Sequence, residues 1–220
     1  MHTLHVARAN DDDHAFVQRF PAMPHTMKLL FLAGSAREGS YNKKLARLGA
    51  EIAHANGILS TFADLGDYPM PIYDGDVEAN TGPPENAAKL KALMQLHHGI
   101  FIASPEYNSS IAPLLKNTLD WISRVKGEGE VPSQVYKTRV FALGAASPGA
   151  FGGVRGMPHV RQVLELGLGA LVLPDQILVP RAMEAFEDNG HLKDKGAMEM
   201  YKGVIQKLAR AAHFVSAPAT

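Results

Sequence analysis

The chain has 220 residues, enough to bury one substantial core or at most two small ones. Apolar residues make up 46% and charged residues 20%, and 22 basic side chains balance 22 acidic ones, which argues against extended disorder and against a global field for nucleic acid or an anionic membrane. Cysteine is absent, so disulfide frameworks, thiolate metal sites and cysteine nucleophiles are excluded, and any redox chemistry belongs to a bound cofactor.

No apolar run approaches the roughly 20 residues that span a bilayer. Residues 1–27 lack the apolar block and cleavage site of a secretory signal, so the cytoplasm is the expected location. This leader reads as a disordered N-terminal extension. It holds His2, His5, His14, His25 and Asp11, Asp12 and Asp13, but their irregular spacing does not make a metal site. Met27 directly precedes the first strand pattern and is a candidate native start; a chain begun there is expected to fold and keep its cofactor.

Strand-length apolar runs then alternate with helical periodicity. Residues 28–33 (KLLFLA) read as a buried strand, 41–56 as a helix with Leu45, Leu48 and Ile52 on one face, and 58–63 as a second strand. Pro69, Pro71, Gly75, Gly82, Pro83 and Pro84 predict a long loop without a regular element over 64–84. A helix over 85–97 and a strand over 99–103 (GIFIA) follow. Pro113 opens a helix carrying Leu115, Leu119, Ile122 and Val125. Next come a strand at 139–143, a helix over 156–167, a strand region 170–179 interrupted by Pro174, and a last helix over 194–213 burying Met198, Tyr201, Val204, Ile205 and Leu208. The pattern predicts a single α/β domain over 28–213 with a tail at 214–220. Near-continuous apolar strands separated by helices imply a five-stranded, doubly wound parallel sheet covered on both faces. Ligands bind such sheets beyond the carboxyl ends of the strands, where strand order reverses.

Three strand-end loops are therefore of interest. After the first strand, "AGSAREGSYN" offers Gly34, Ser35, Arg37, Gly39, Ser40 and Asn42 before a helix. A helix N-terminus with an arginine suits a phosphate; a plain turn with Ser40 or Asn42 as cap fits the same residues. Ser40-Tyr41 stands where a Walker A loop needs lysine and a hydroxyl residue, and Ala36 replaces the second glycine of a dinucleotide loop, so a single phosphate fits better. After the third strand, "SPEYNSSIAP" presents Glu106 and Tyr107 in a turn-rich stretch. After the fourth, "GAASPGAFGGVRG" holds five glycines in thirteen residues, suited to close approach of a flat ligand or to a flexible lid. Their shared position favours one planar phosphorylated ligand.

In combination, "GSAREGSYN", "SPEYN" and "SPGAFGG" resemble the phosphate, P-E-Y-N and S-x-G-x-x-G-G loops of the flavodoxin-like NAD(P)H-dependent FMN reductases, with their related quinone and chromate reductases. "LKNTLDWISR" and the excursion "DLGDYPMPIYDGDVE" are similar to that family too, so the resemblance spans roughly 28–185. It implies a flavodoxin-like fold and FMN as cofactor, with NADPH or NADH as co-substrate. Ser35, Arg37, Ser40 and Asn42 would hold the phosphate. Pro105, Glu106, Tyr107 and Asn108 would line the ring and ribityl, and Ser147, Gly149, Gly152 and Gly153 would approach the ring from the other side. It also implies a homodimer or homotetramer with the flavin near the subunit boundary.

The expected reaction takes hydride from the nicotinamide at the flavin N5 and passes electrons to a small-molecule acceptor, in a ping-pong cycle without a side-chain acid or base. Quinones, free flavins, azo or nitro compounds and metal oxyanions are candidate acceptors. An electron carrier or regulatory module without nicotinamide turnover is the alternative, which balanced charge disfavours. No metal is expected. His97-His98 reads as a helix end, Trp121 as core or interface, and Asp74, Asp76 and Glu78 as solvated surface.

Overall fold

A computed structural model describes residues 27–216. In chain order it comprises β1 (Lys28–Ala33), α1 (Tyr41–Ala55), β2 (Leu59–Asp64), α2 (Gly75–Thr81), α3 (Glu85–Gln95), β3 (Gly99–Ala103), β4 (Glu106–Tyr107), β5 (Ser110–Ile111), α4 (Pro113–Arg124), α5 (Gln134–Lys137), β6 (Val140–Ala146), α6 (Met157–Arg161), β7 (Leu171–Val179), α7 (Ala182–Ala185) and α8 (Lys195–Ser216). The main sheet is parallel throughout, in the order β2-β1-β3-β6-β7. Strand order reverses at β1 and β3, so the loops leaving these strands open into one crevice, with the loop after β6 beside it.

Alternation along the strands divides the core. Leu29, Phe31 and Phe101 pack under α1 and α8, whereas Leu30, Leu32, Ile100 and Ile102 pack under α3 and α4. All seven side chains are buried, each contributing about 1.5–3 kcal/mol. The two helices of the first face approach closely: the Tyr201 hydroxyl of α8 donates to the Leu45 carbonyl at 2.9 Å, and a Cβ at Gly49 would collide with that hydroxyl. Burial pushes the Tyr201 phenol well above its usual pKa.

Five sequence expectations change. The 64–84 stretch is not irregular throughout, because a short 3-10 turn occupies Leu65–Asp67 and α2 lies inside it. The prolines bracket this helix, the Asp74 carboxylate caps it by accepting from Asp76 N–H at 2.7 Å, and Gly82 ends it at φ +71°. The excursion docks on α4: Trp121 Nε1–H and Asn117 Nδ2–H both donate to the Pro71 carbonyl, at 2.7 and 2.8 Å. Glu78 is no solvated carboxylate, since it accepts from Arg124 and from the Tyr73 hydroxyl, and these bonds hold its pKa below the usual range, that from Arg124 most.

Pro174 does not interrupt its strand. β7 is an edge strand and passes the proline with a register shift opposite Phe141–Leu143, where Arg161 donates to the carbonyls of Leu173 and Pro174. The helix expected over 156–167 divides into α6 and a π-helical stretch, Gln162–Gly167. The C-terminal helix continues to Ser216, into the expected tail, while the leader's histidines and aspartates lie outside the described residues.

His97 and His98 serve the amino-end edge of the sheet. His97 is buried with Nδ1 2.7 Å from the Leu93 carbonyl and Nε2 2.9 Å from Thr61 Oγ1, and His98 Nδ1 accepts from Lys28 N–H at 3.1 Å. Burial is the main cause that lowers both imidazole pKa values. Among the described residues no three His, Asp or Glu side chains form a metal cluster, and no helix is long and apolar enough to cross a membrane.

Candidate functional site

The turn between β1 and α1 presents donors without partners at the start of a helix. Ser40 caps α1, its Oγ accepting from Lys43 N–H at 3.4 Å, and Ser35 Oγ accepts from Arg37 N–H at 3.3 Å. Among the described residues, the backbone N–H groups of Ser35, Ala36, Glu38 and Gly39 find no acceptor within the chain. Among these residues the Arg37 guanidinium makes no hydrogen bond or ion pair either, and it lies over the Tyr41 ring, 5.9 Å from its centroid. The first turn of α1 holds no acidic residue, although acids are what a helix N-terminus prefers, and Lys43 and Lys44 fall there instead. A phosphate at this turn would meet free N–H donors, a free guanidinium and the positive end of the helix.

The P-E-Y-N stretch forms a small hairpin rather than a simple loop. β4 and β5 pair antiparallel across Asn108 and Ser109, both left-handed at φ 50° and 62°, as a type I′ turn requires. Pro105 and Ser104 are buried, Glu106 is half-buried, and Tyr107, 49% exposed, stands outward. In the third loop Ser147 is half-buried, its Oγ accepting from Gly149 N–H at 3.2 Å, while Gly149 and Phe151 are exposed.

The chain's own bonds join the three loops. The first meets the second where Gly34 N–H donates to the Ala103 carbonyl at 2.9 Å, and a Cβ at Gly34 would lie 3.1 Å from Pro105 Cδ. The first meets the third through Asn42, whose Nδ2 donates to the Ala146 carbonyl while its Oδ1 accepts from Ala146 N–H, both at 2.9 Å. The second meets the third through Glu106. One carboxylate oxygen accepts from the N–H groups of Arg155 and Gly156 at 2.9 and 3.1 Å; the other accepts from Arg155 Nε and Nη2 at 2.9 and 2.5 Å.

These bonds revise what several expected site residues offer a ligand. Both polar atoms of the Asn42 side chain are engaged by Ala146, which leaves its backbone N–H for an anion. The Glu106 carboxylate is likewise occupied, so its side chain is a staple between loops. Gly152 and Gly153 turn toward their own chain at φ 60° and 87°: their Cβ atoms would lie 3.0 Å from Pro180 N and 2.6 Å from Ala145 Cβ. Arg155 sits in the sequence "GGVRG", but no local pattern marks it, because its partner is 49 residues away.

The comparisons with known proteins agree with this geometry. Residues 27–184 match the family of NADPH-dependent FMN reductases. The chain is 30% identical over 185 residues to a quinone reductase of Escherichia coli, with 83% of this chain and 94% of that protein covered. It is 32% identical over 187 residues to an NAD(P)H-dependent FMN reductase of Pseudomonas aeruginosa, covering 84% and 95%. The fold matches the solved structure of FerB, a flavoenzyme NAD(P)H:(acceptor) oxidoreductase of Paracoccus denitrificans, with a TM-score of 0.70 at 24% identity over 86% of this chain and 98% of that one. A flavodoxin-like parallel sheet, an anion-ready first loop and a match over most of the chain agree: this protein is an oxidoreductase belonging to the NADPH-dependent FMN reductase family.

Proposed function

We propose that this enzyme is a quinone reductase that uses FMN and NAD(P)H, with the cofactor phosphate at Ser35–Asn42 and its ring between the Pro105–Asn108 and Ser147–Gly153 loops. The observation that carries the reading is that, among the described residues, the N–H groups of Ser35, Ala36, Glu38 and Gly39 and the Arg37 guanidinium are unpaired, at a helix start without acids. That donor set fits a phosphate dianion. When bound, FMN supplies the redox chemistry, taking two electrons as hydride from NAD(P)H and passing them to a second small acceptor in a ping-pong cycle.

The chain's residues do the binding and orienting. Arg37 and Ser35 hold the phosphate from side chains, Asn42 serves through its backbone N–H, and Ser40, whose own N–H donates to the Arg37 carbonyl at 3.2 Å, shapes the loop as the cap of α1. Glu106 and Arg155 keep the second and third loops at a fixed separation, so the ring slot is set before a ligand arrives. No side-chain acid or base is assigned. A quinone is preferred among the acceptors because the relative in E. coli is named for that activity, and the exposed aromatics Tyr107 and Phe151 offer apolar surface at the rim. Free flavins, azo or nitro compounds and metal oxyanions are the competing acceptors.

We further propose a single catalytic domain over 28–213 working as a homodimer or homotetramer. The exposed side chains of Ile72, Tyr107 and Phe151 support this, and sedimentation of the purified protein tests it. The flavin reading is tested by the visible spectrum. A flavin band, or its appearance on adding FMN, is expected, and its absence ends the reading. Anaerobic mixing with NADPH or NADH should bleach that band, and a following pulse of benzoquinone should restore it; a band that neither nucleotide bleaches removes the nicotinamide assignment.

A further inference from the structure

Lys43 stands in an unexpected place. It is the third residue of α1, where a cation opposes the helix dipole, and it is 8% exposed, where an unpaired charge would be costly. Its Nζ donates to the Ala36 carbonyl at 3.0 Å and pairs with Asp64 Oδ2 at 2.6 Å. Asp64, at the end of β2, uses its other oxygen to accept from Gly66 N–H at 2.9 Å. A Cβ at Gly66 would lie 3.7 Å from the Ala36 Cβ, so the turn after β2 packs directly against the first loop.

An apolar residue would fill this space without burying two charges, and such replacements are often neutral or stabilising. What the pair gains is control of one peptide group. Gripped by Lys43, the Ala36 carbonyl is turned toward the ammonium and away from an arriving anion, leaving the exposed face of the loop to N–H groups. Asp64 keeps Lys43 in that grip and cancels most of its charge, so its influence on a phosphate is geometric.

We propose that the Lys43–Asp64 pair is a positioning device for the first loop that sets the preference of this enzyme for phosphorylated over unphosphorylated flavin. The inference rests on the FMN reading above and adds residues outside the recognised loop pattern.

The test measures dissociation constants for FMN and riboflavin by flavin fluorescence quenching in the wild type and in Lys43→Met, Lys43→Arg and Asp64→Asn, with thermal unfolding followed for each. Lys43→Met and Asp64→Asn are expected to lower the FMN-over-riboflavin preference by about 10-fold, the scale of one charged hydrogen bond, with riboflavin affinity unchanged. Lys43→Arg, which can span the same carbonyl and carboxylate, should keep most of the preference. An unchanged preference, or equal loss of both flavins, overturns the proposal. So does tighter FMN binding in Asp64→Asn, which would make Lys43 a plain electrostatic attractor. A wild type that binds neither flavin sinks the FMN reading instead.

Discussion

The first and third loops look alike as text, each a run of glycine, serine and alanine with one arginine, yet Gly39 in the one and Gly152 and Gly153 in the other do opposite things. Gly39 has open space where a Cβ would stand, and among the described residues its N–H and those of Ser35, Ala36 and Glu38 are unpaired. Gly152 and Gly153 are closed against Pro180 and Ala145 at positive φ, and Arg155 is bound to Glu106, so that end of the third loop is spent on its own chain. A glycine near a ligand loop is thus either a gap left for the ligand or a backbone bend with no room for a side chain.

Gly153→Ala is the largest expected break, because it adds a methyl 2.6 Å from the Ala145 Cβ at a φ that L residues rarely adopt. A loss of about 3 kcal/mol or more in urea unfolding should follow, against less than about 0.5 kcal/mol for Gly39→Ala. Similar values for the two would erase the distinction between the loops. Asn42→Ala should cost about 2–3 kcal/mol of stability, since it strands the amide and carbonyl of Ala146, and the same unfolding assay reads it. Arg37→Ala belongs to the other class: FMN affinity should fall by about 1.5–3 kcal/mol in a quenching titration while the urea midpoint stays in place. If the midpoint moves and the affinity does not, Arg37 is structural.

The smallest effect concerns neither loop. His97 and His98 lie at the opposite edge of the sheet, and burial depresses both imidazoles. The unfolded chain takes up protons near pH 6.5 while the folded chain resists, so their contribution is fully present above that pH and declines below it. The thermal midpoint should drop by a few degrees between pH 7.5 and 5.5, well above the range where carboxylates titrate. A His97→Gln variant should show a shallower drop; an equal drop would assign the effect elsewhere.

Much of this was legible in the sequence because it is local. The runs KLLFLA, GIFIA and VFAL became buried strands, and Ser40 became the cap before α1. α2 was not legible, since its signal, Asp74 as cap between two proline pairs, is read as easily as loop punctuation. The hairpin at 106–111 escaped because Ser109 takes a left-handed turn position that glycine usually marks. Within the site, residue types were visible but their partners were not. The Asn42 side chain looks free for a ligand until Ala146 is beside it, and Lys43 looks like a solvated lysine until Asp64 and Ala36 close on it. Such pairings depend on the strand order, which no short stretch of sequence carries.

The bond pair between Asn42 and Ala146 also has a consequence for timing. It joins residues 104 apart, so the loop that emerges from the ribosome first is secured only after β6 has been made and has paired with β3. A growing chain that stops short of residue 146 carries every residue of the first loop and lacks the end of the strand that locks it. Cofactor uptake during synthesis or refolding should therefore trail completion of the sheet, and a newly coloured protein would be one that has finished folding.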